Sequence, residues 1–377
     1  MKYFVFVGWK VMSLRDLKNN MILCLLLSLV VATFSFSQQE ADANEIKVGF
    51  VYLSSVEDAG WSYAHDLGRQ SIEKMPNVKT SFVDSVMENE DTYIEAVLHQ
   101  MAESGNKLIF ATSFGYGNAV KKLSLQFPDV IFMHCSGNFK TRNVGTYFGR
   151  MYQARYLTGL VAGAMSKSNI IGYVAAFPIP EVIRGINAFA LGAIKANPEA
   201  KIYVRWTKDW NDPMLEKVSA NELIDLNADV LTQHQDSPAT QMVANKRGVF
   251  SIGYNHDMSS YAPNAHLTAA IWDWSTVYKP IVKNVLKGKW KSEDIWWGLK
   301  KGLVDVAPFS PKVPEKVRKM VLRNKKDILS NKLSIFSGPI WDKQGNIRIP
   351  KGKQATDEEI WNMNWFIKGV VDNFSQR

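Results

Sequence analysis

Two tryptophans stand in contexts where tryptophan is uncommon. Trp61 follows Asp58-Ala59-Gly60, and Trp210 lies within Lys208-Asp209-Trp210-Asn211-Asp212-Pro213. Both are polar loop sequences, whereas a core indole is usually flanked by apolar residues. A flat ring at such a place suits stacking on a flat ligand, which contributes roughly 1–3 kcal/mol per nucleobase. Trp272 and Phe114, the latter in Ser113-Phe114-Gly115-Tyr116-Gly117, are further aromatic candidates. Asn211, Asp236, Asn255, Tyr116 and Asp273 fall close to strand ends and could meet the edge of a stacked ring. Sugars also stack on indole, but a purine additionally wants donors and acceptors in the ring plane. These residues therefore point to binding of a small flat molecule.

Catalytic patterns are sparse. His234 with Asp236, and His256 with Asp257, could do acid–base work. A nucleoside hydrolase built on Asp236, His234 and Asp257 is the enzymatic alternative; hydrogen bonding to a ligand or capping of loops is the favoured reading. The sequence has no P-loop and no Gly-x-Ser-x-Gly elbow, and Gly115-Tyr116-Gly117 lacks the third glycine of a dinucleotide fingerprint. Its six histidines form no His-x-x-x-His pair and its two cysteines have no zinc-type spacing. No catalytic residue, metal or cofactor is expected.

The elements that must position the rings alternate regularly. Apolar runs at 46–53, 78–86, 108–112, 130–135 and 144–148 are separated by helical patterns, and the rhythm restarts at 170–177, 201–207, 229–234 and 250–254. Repeated strand–helix alternation predicts parallel sheets with helices on both faces. Two such runs predict an α/β protein of two doubly wound parallel-sheet lobes joined by a hinge. The first lobe is expected at 44–167, completed by about 259–296, and the second at 168–258, completed by about 297–345. A hairpin end and an amphipathic helix carrying Trp361, Trp365 and Val370 are expected over 346–377. Ligands bind at the carboxyl ends of strands in open parallel sheets, which selects the loops 54–63, 113–118, 135–139, 177–182, 207–212, 234–238 and 254–258.

The chain has 377 residues, 46% of them apolar, enough for two sizeable cores. Its formal charge is +9. Lys and Arg are dispersed, which argues against nucleic-acid binding. Arg15 and Lys18 precede an apolar run from Met21 to Phe36, followed by small-x-small sites at Ser35-Phe36-Ser37 and Ala41-Asp42-Ala43. Residues 1–43 thus read as a signal peptide, removed on export to the periplasm. Cys24 precedes the main apolar stretch rather than ending the segment, so a lipid anchor is not expected. Cys135 alone would remain, leaving no disulfide within a chain.

An ordered set of short pieces resembles the basic membrane protein (BMP) family. They are Val48-Gly49-Phe50-Val51 with Asp58-Ala59-Gly60-Trp61, Phe127-Pro128-Asp129-Val130, Phe148 with Tyr156-Leu157-Thr158-Gly159, Ile171-Gly172-Tyr173, Gly185 to Gly192, Asn197-Pro198, Trp210-Asn211-Asp212 and Ile252-Gly253-Tyr254. The resemblance implies a type I periplasmic-binding fold, a monomeric substrate-binding protein of an ABC transporter, a purine or nucleoside ligand and a membrane permease as partner. A ligand sensor with a signalling partner is an alternative on the same fold. Trp61 and Trp210 match positions where the family has stacking phenylalanines. Asn255 stands where relatives have a ribose-binding aspartate, and Asp273 aligns with a lysine. Wider rings and a lost ribose carboxylate favour a free base such as adenine over a nucleoside.

Overall fold

The computed structural model describes residues 45–372, so the expected signal peptide lies outside the described residues. The first lobe begins with strands β1 (Ile46–Val51), β2 (Val78–Val83), β3 (Asn106–Ala111), β4 (Ile131–Cys135) and β5 (Val144–Gly149). Helices α1 (Trp61–Glu73), α2 (Asp91–Glu103) and α3 (Gly117–Gln126) connect them. β1, β3 and β5 are buried along most or all of their length, as strands covered on both faces must be.

The chain then crosses to the second lobe through α4 (Tyr152–Met165), and continues β6 (Ile170–Ala175), α5 (Pro180–Ala196), β7 (Lys201–Trp206), α6 (Pro213–Asp225), β8 (Val230–His234), α7 (Ala239–Arg247), β9 (Phe250–Asn255) and β10 (His266–Trp272). It returns for α8 (Ser275–Leu286) and β11 (Asp294–Trp297), and crosses a last time to β12 (Val304–Val306) and α9 (Glu315–Leu329). A hairpin of β13 (Ile340–Trp341) and β14 (Ile347–Ile349), a short α10 (Asp357–Trp361) and β15 (Val370–Val371) complete it. The first sheet is parallel, in the order β11-β5-β4-β3-β1-β2; the second runs β12-β10-β9-β8-β6-β7-β15, with only β12 antiparallel.

Two doubly wound lobes are thus present, with three boundaries displaced from expectation. β10 pairs with β9, so the return to the first lobe starts at Asp273 and not near 259. α4 packs on α5, and Arg155 within it donates to the Gln233 carbonyl, so the first pass through lobe one ends at Gly149, not at 167. The amphipathic helix shrinks to Asp357–Trp361, because Asn187 on α5 bonds the Trp365 carbonyl and the Ile367 amide and keeps that stretch out of a helix; Val370 joins the sheet edge beside β7.

The crossings touch one another. A Cβ on Gly149 would lie 2.1 Å from the Trp272 ring, so only glycine lets these two crossing segments approach. Arg150 N donates to the Trp297 carbonyl (2.7 Å) and Asp273 N to the Leu303 carbonyl (2.9 Å), linking all three crossings.

Candidate ligand-binding site

In lobe one, Trp61 is aimed by its loop. The Asp58 carboxylate accepts the amides of Gly60, Ser62 and Tyr63 (2.7–3.0 Å) and the Ser54 hydroxyl, which fixes the first turn of α1. Trp61 Nε1 donates to the Thr112 carbonyl (2.9 Å). Its ring stands edge-on to Trp272 and Trp274, which stack on each other at 4.5 Å.

In lobe two, Asp212 caps α6 by accepting the amides of Met214 and Leu215, with Pro213 at the first helical position. The Asp209 carboxylate accepts the Asn211 amide, and the Asp236 amide donates to the Trp210 carbonyl (2.9 Å). The Trp210 ring is thereby set against Phe177 (5.2 Å) and His234 (6.1 Å).

The lobes are closed on each other. Trp210 Nε1 donates to Glu88 Oε2 (3.1 Å), the Ser136 hydroxyl donates to Glu181, and His256 Nε2 donates to the Ala59 carbonyl (2.7 Å). A Cβ on Gly60 would sit 1.9 Å from the Asp236 carbonyl oxygen, so glycine is required for this approach. Ala59, Ser136 and Lys208, in loops around the cleft, and Asn255, at the end of β9, all carry positive φ, between 56° and 71°. Such conformations cost energy and concentrate at functional sites.

Between the lobes lies a narrow slot enclosing about 360 Å³ of space, its open mouth included. The rings of Trp61, Phe114, Phe148, Trp210 and Tyr254 line it, with the carboxyl groups of Glu88, Glu181 and Asp236, the hydroxyls of Ser113 and Ser136, and His234. No lysine or arginine is among the lining residues. The cations stand behind: Arg155 lies over Tyr254 at 3.8 Å, and Arg184 over Trp361 at 4.9 Å and Phe148 at 5.5 Å. Burial pushes the Arg184 guanidinium down to about 10.

Burial, together with the nearby Asp58 and Glu216, holds the Asp236 carboxyl well above the usual range. Glu181 is raised by burial, against the pull of Arg184. His234 is pushed well down by burial and by Arg155 and Arg184, so it is a neutral imidazole bonded to the Tyr254 hydroxyl (3.2 Å). The slot is therefore flat-walled and rich in carboxyl groups, two of which burial pushes toward their neutral form.

Of the residues expected from sequence, Trp61, Trp210, Phe114 and Asp236 line the slot. Trp272 stands behind Trp61 and donates its Nε1 to Asn255 Oδ1 (3.2 Å), so both are supports at the hinge. Asn211 lies beside Trp210 in the loop but outside the lining. Tyr116 is buried in the core of lobe one, its hydroxyl spent on the Val86 carbonyl. Asp273 is exposed and accepts the Ser275 amide and hydroxyl at the start of α8. Asp257 is outside the slot near His266, so the acid–base set with Asp236 and His234 is not assembled. Sequence reasoning did not select Glu88, Ser113, Ser136, Phe148, Glu181 or Tyr254. Ser113, Ser136 and Glu181 fall in loops that the strand-end rule had marked; Glu88 does not. Among the described residues no cluster of His, Cys, Asp and Glu is placed to hold a metal ion.

A two-lobed α/β architecture with a closed slot at the strand ends is the form of a solute-binding protein. The family described as ABC transporter substrate-binding protein, PnrA-like, matches residues 45–339. The chain belongs to this family. By that description, the family's proteins bind substrates for ABC transporters, capturing small molecules for a membrane permease. A purine-binding protein of Brucella abortus is 40% identical over 348 residues, covering 92% of this chain and 99% of the relative. A Haloferax volcanii protein whose name assigns it to glucose binding for an ABC transporter is 36% identical, over 88% of this chain and 81% of the relative. The solved solute-binding protein of Aeropyrum pernix K1 shares the fold with a TM-score of 0.68 at 17% identity, covering 77% of this chain and 92% of that one. Among the described residues no helix is long and apolar enough to cross a membrane.

Proposed function

We propose that this substrate-binding protein captures a purine, as a free base such as adenine, in the slot bounded by Trp61 and Trp210. The protein acts as a periplasmic monomer, exported by way of residues 1–43, and delivers the base to a membrane permease. The observation that carries this reading is the combination of aromatic walls with in-plane acceptors and no lining cation. Stacking supplies affinity for any flat ring. Carboxyl oxygens within the slot accept N–H donors and, where ionised, disfavour phosphate, which speaks against nucleotides. The purine-binding relative supports the same ligand class.

The glucose name of the Haloferax relative supplies the competing ligand, since sugars stack on tryptophan and carboxylates accept hydroxyls. Titration of tryptophan fluorescence with adenine, adenosine and glucose separates the two. Adenine is expected to perturb the emission at the lowest concentration and adenosine more weakly. A response to glucose with none to adenine, guanine or hypoxanthine would overturn the purine reading.

A further inference from the structure

We propose that Glu181 reads the amino edge of the ligand and makes the slot selective for amino-substituted over oxo-substituted purines. This rests on the purine reading above and adds a residue and a chemical preference to it. The three slot carboxyls are not equivalent. Glu88 is already occupied: Oε1 takes the Ser113 hydroxyl and the Gly115 amide (2.7 Å), and Oε2 takes Trp210 Nε1. Asp236 faces Asp58 and Glu216, which favour its neutral form. Glu181 uses Oε2 for the Ser136 hydroxyl, while Oε1 receives none of the hydrogen bonds found among the described residues.

Burial raises the Glu181 carboxyl, and its position works against that shift. Glu181 lies in the first turn of α5, where the helix N-terminus favours negative charge, and Arg184 on the same helix attracts it. Arg184 also lies over Phe148, another slot wall, so ring and carboxylate are held together. Ser136, which supplies the hydroxyl from the opposite lobe, holds φ at +57°. The Glu181 acceptor is thus completed only when the lobes close. An amino group there donates to Oε1; a ring carbonyl placed against the ionised carboxylate meets a second oxygen with no proton between them.

The experiment is calorimetric titration of adenine and hypoxanthine into the wild type, Glu181→Gln and Ser136→Ala, with thermal unfolding of each protein alone. The wild type is expected to prefer adenine by about tenfold or more, the scale of one charge-assisted hydrogen bond. Glu181→Gln should lose most of that preference, weakening adenine while hypoxanthine holds or gains, because the amide can donate to the carbonyl. Hypoxanthine binding by the variant then reports an intact site. Ser136→Ala should weaken both bases alike, as loss of a closure contact does. Equal affinity of the wild type for the two bases, or equal weakening of both by Glu181→Gln, would overturn the proposal while leaving purine binding in place. Failure of every purine to bind the wild type would overturn the underlying reading and this proposal together.

Discussion

Trp210 makes two separable contributions, and substitution can resolve them. Its ring forms a wall of the slot, and its Nε1 closes the cleft on Glu88 at 3.1 Å. Trp210→Phe keeps an aromatic wall and removes the cross-lobe bond. Glu88 still holds the Ser113 hydroxyl and the Gly115 amide, so no carboxylate is orphaned. The loss is then the net value of one charge-assisted bond, about 1.5 kcal/mol, or roughly tenfold in affinity. Trp210→Ala also removes the stack, a further ~1–3 kcal/mol. The total of about 2.5–4.5 kcal/mol corresponds to roughly 70- to 2000-fold weaker binding. Calorimetric titration of adenine at neutral pH reads both values, and thermal unfolding checks the fold. Equal losses for Phe and Ala would show that the ring stacks on nothing. Unchanged affinity in both would remove Trp210 from the binding wall.

Glu216 should make stability pH-dependent. It is buried, neither carboxyl oxygen has a well-formed hydrogen bond, and burial lifts it from its ordinary 4.5 to about 8. Its contribution to stability is fully present below pH 4.5 and is lost as pH rises through 8. At neutral pH this costs at most about 3 kcal/mol. Glu216→Gln is therefore expected to raise the midpoint of thermal unfolding at pH 8 and to match the wild type near pH 4.5; a difference of the same size at both would refute it. Trp361 braces the slot from behind, edge-on to Phe148 (6.3 Å) and Trp296 (5.0 Å) and under Arg184. Trp361→Ala should cost about 2 kcal/mol in urea unfolding, below the value for a fully buried indole, and weaken adenine severalfold. Stability loss with unchanged affinity would show that the brace does not reach the slot.

The alternation of elements was legible because strands buried on both faces read as unbroken apolar runs. Trp61 and Trp210 were legible because an indole in a polar loop needs a reason to be there. The strand-end rule selects loops, not the direction of each side chain, and that is where the site reading diverged. Tyr116 has the sequence context of a loop aromatic, yet its one-turn helix directs the ring into the core. Asp273 and Asn255 are at strand ends but serve a helix start and the hinge. Glu181 looks like any acidic residue in a helix first turn, and only the approach of Ser136 from the other lobe marks it out. Glu88 follows an edge strand, and its loop reaches the cleft over a distance that no local pattern encodes. The expected C-terminal helix had the right spacing of apolar residues, but the contacts of Asn187 with the main chain prevailed over that local pattern.

The acidity of the slot also bears on how closure depends on the ligand. Asp58 and Glu88 belong to lobe one, Glu181 and Asp236 to lobe two, and the unfavourable pairs Asp58–Asp236 and Glu88–Glu181 span the cleft. Closing an empty slot brings these carboxyls together and removes them from water, and both effects oppose closure. Two of the cross-lobe hydrogen bonds that hold the closed form use the same groups, Glu88 with Trp210 and Glu181 with Ser136. A ligand that donates N–H groups offsets the repulsion where it arises, and its ring completes the stack between walls from opposite lobes. Binding and closure are then coupled through one set of side chains, since a ligand shifts an equilibrium only by its differential affinity for the two forms. A neutral, donor-bearing ring makes that difference large. On the proposed reading, an anion of the same shape would meet the ionised carboxyls and leave the lobes apart, so charge as well as shape would select what closes the cleft.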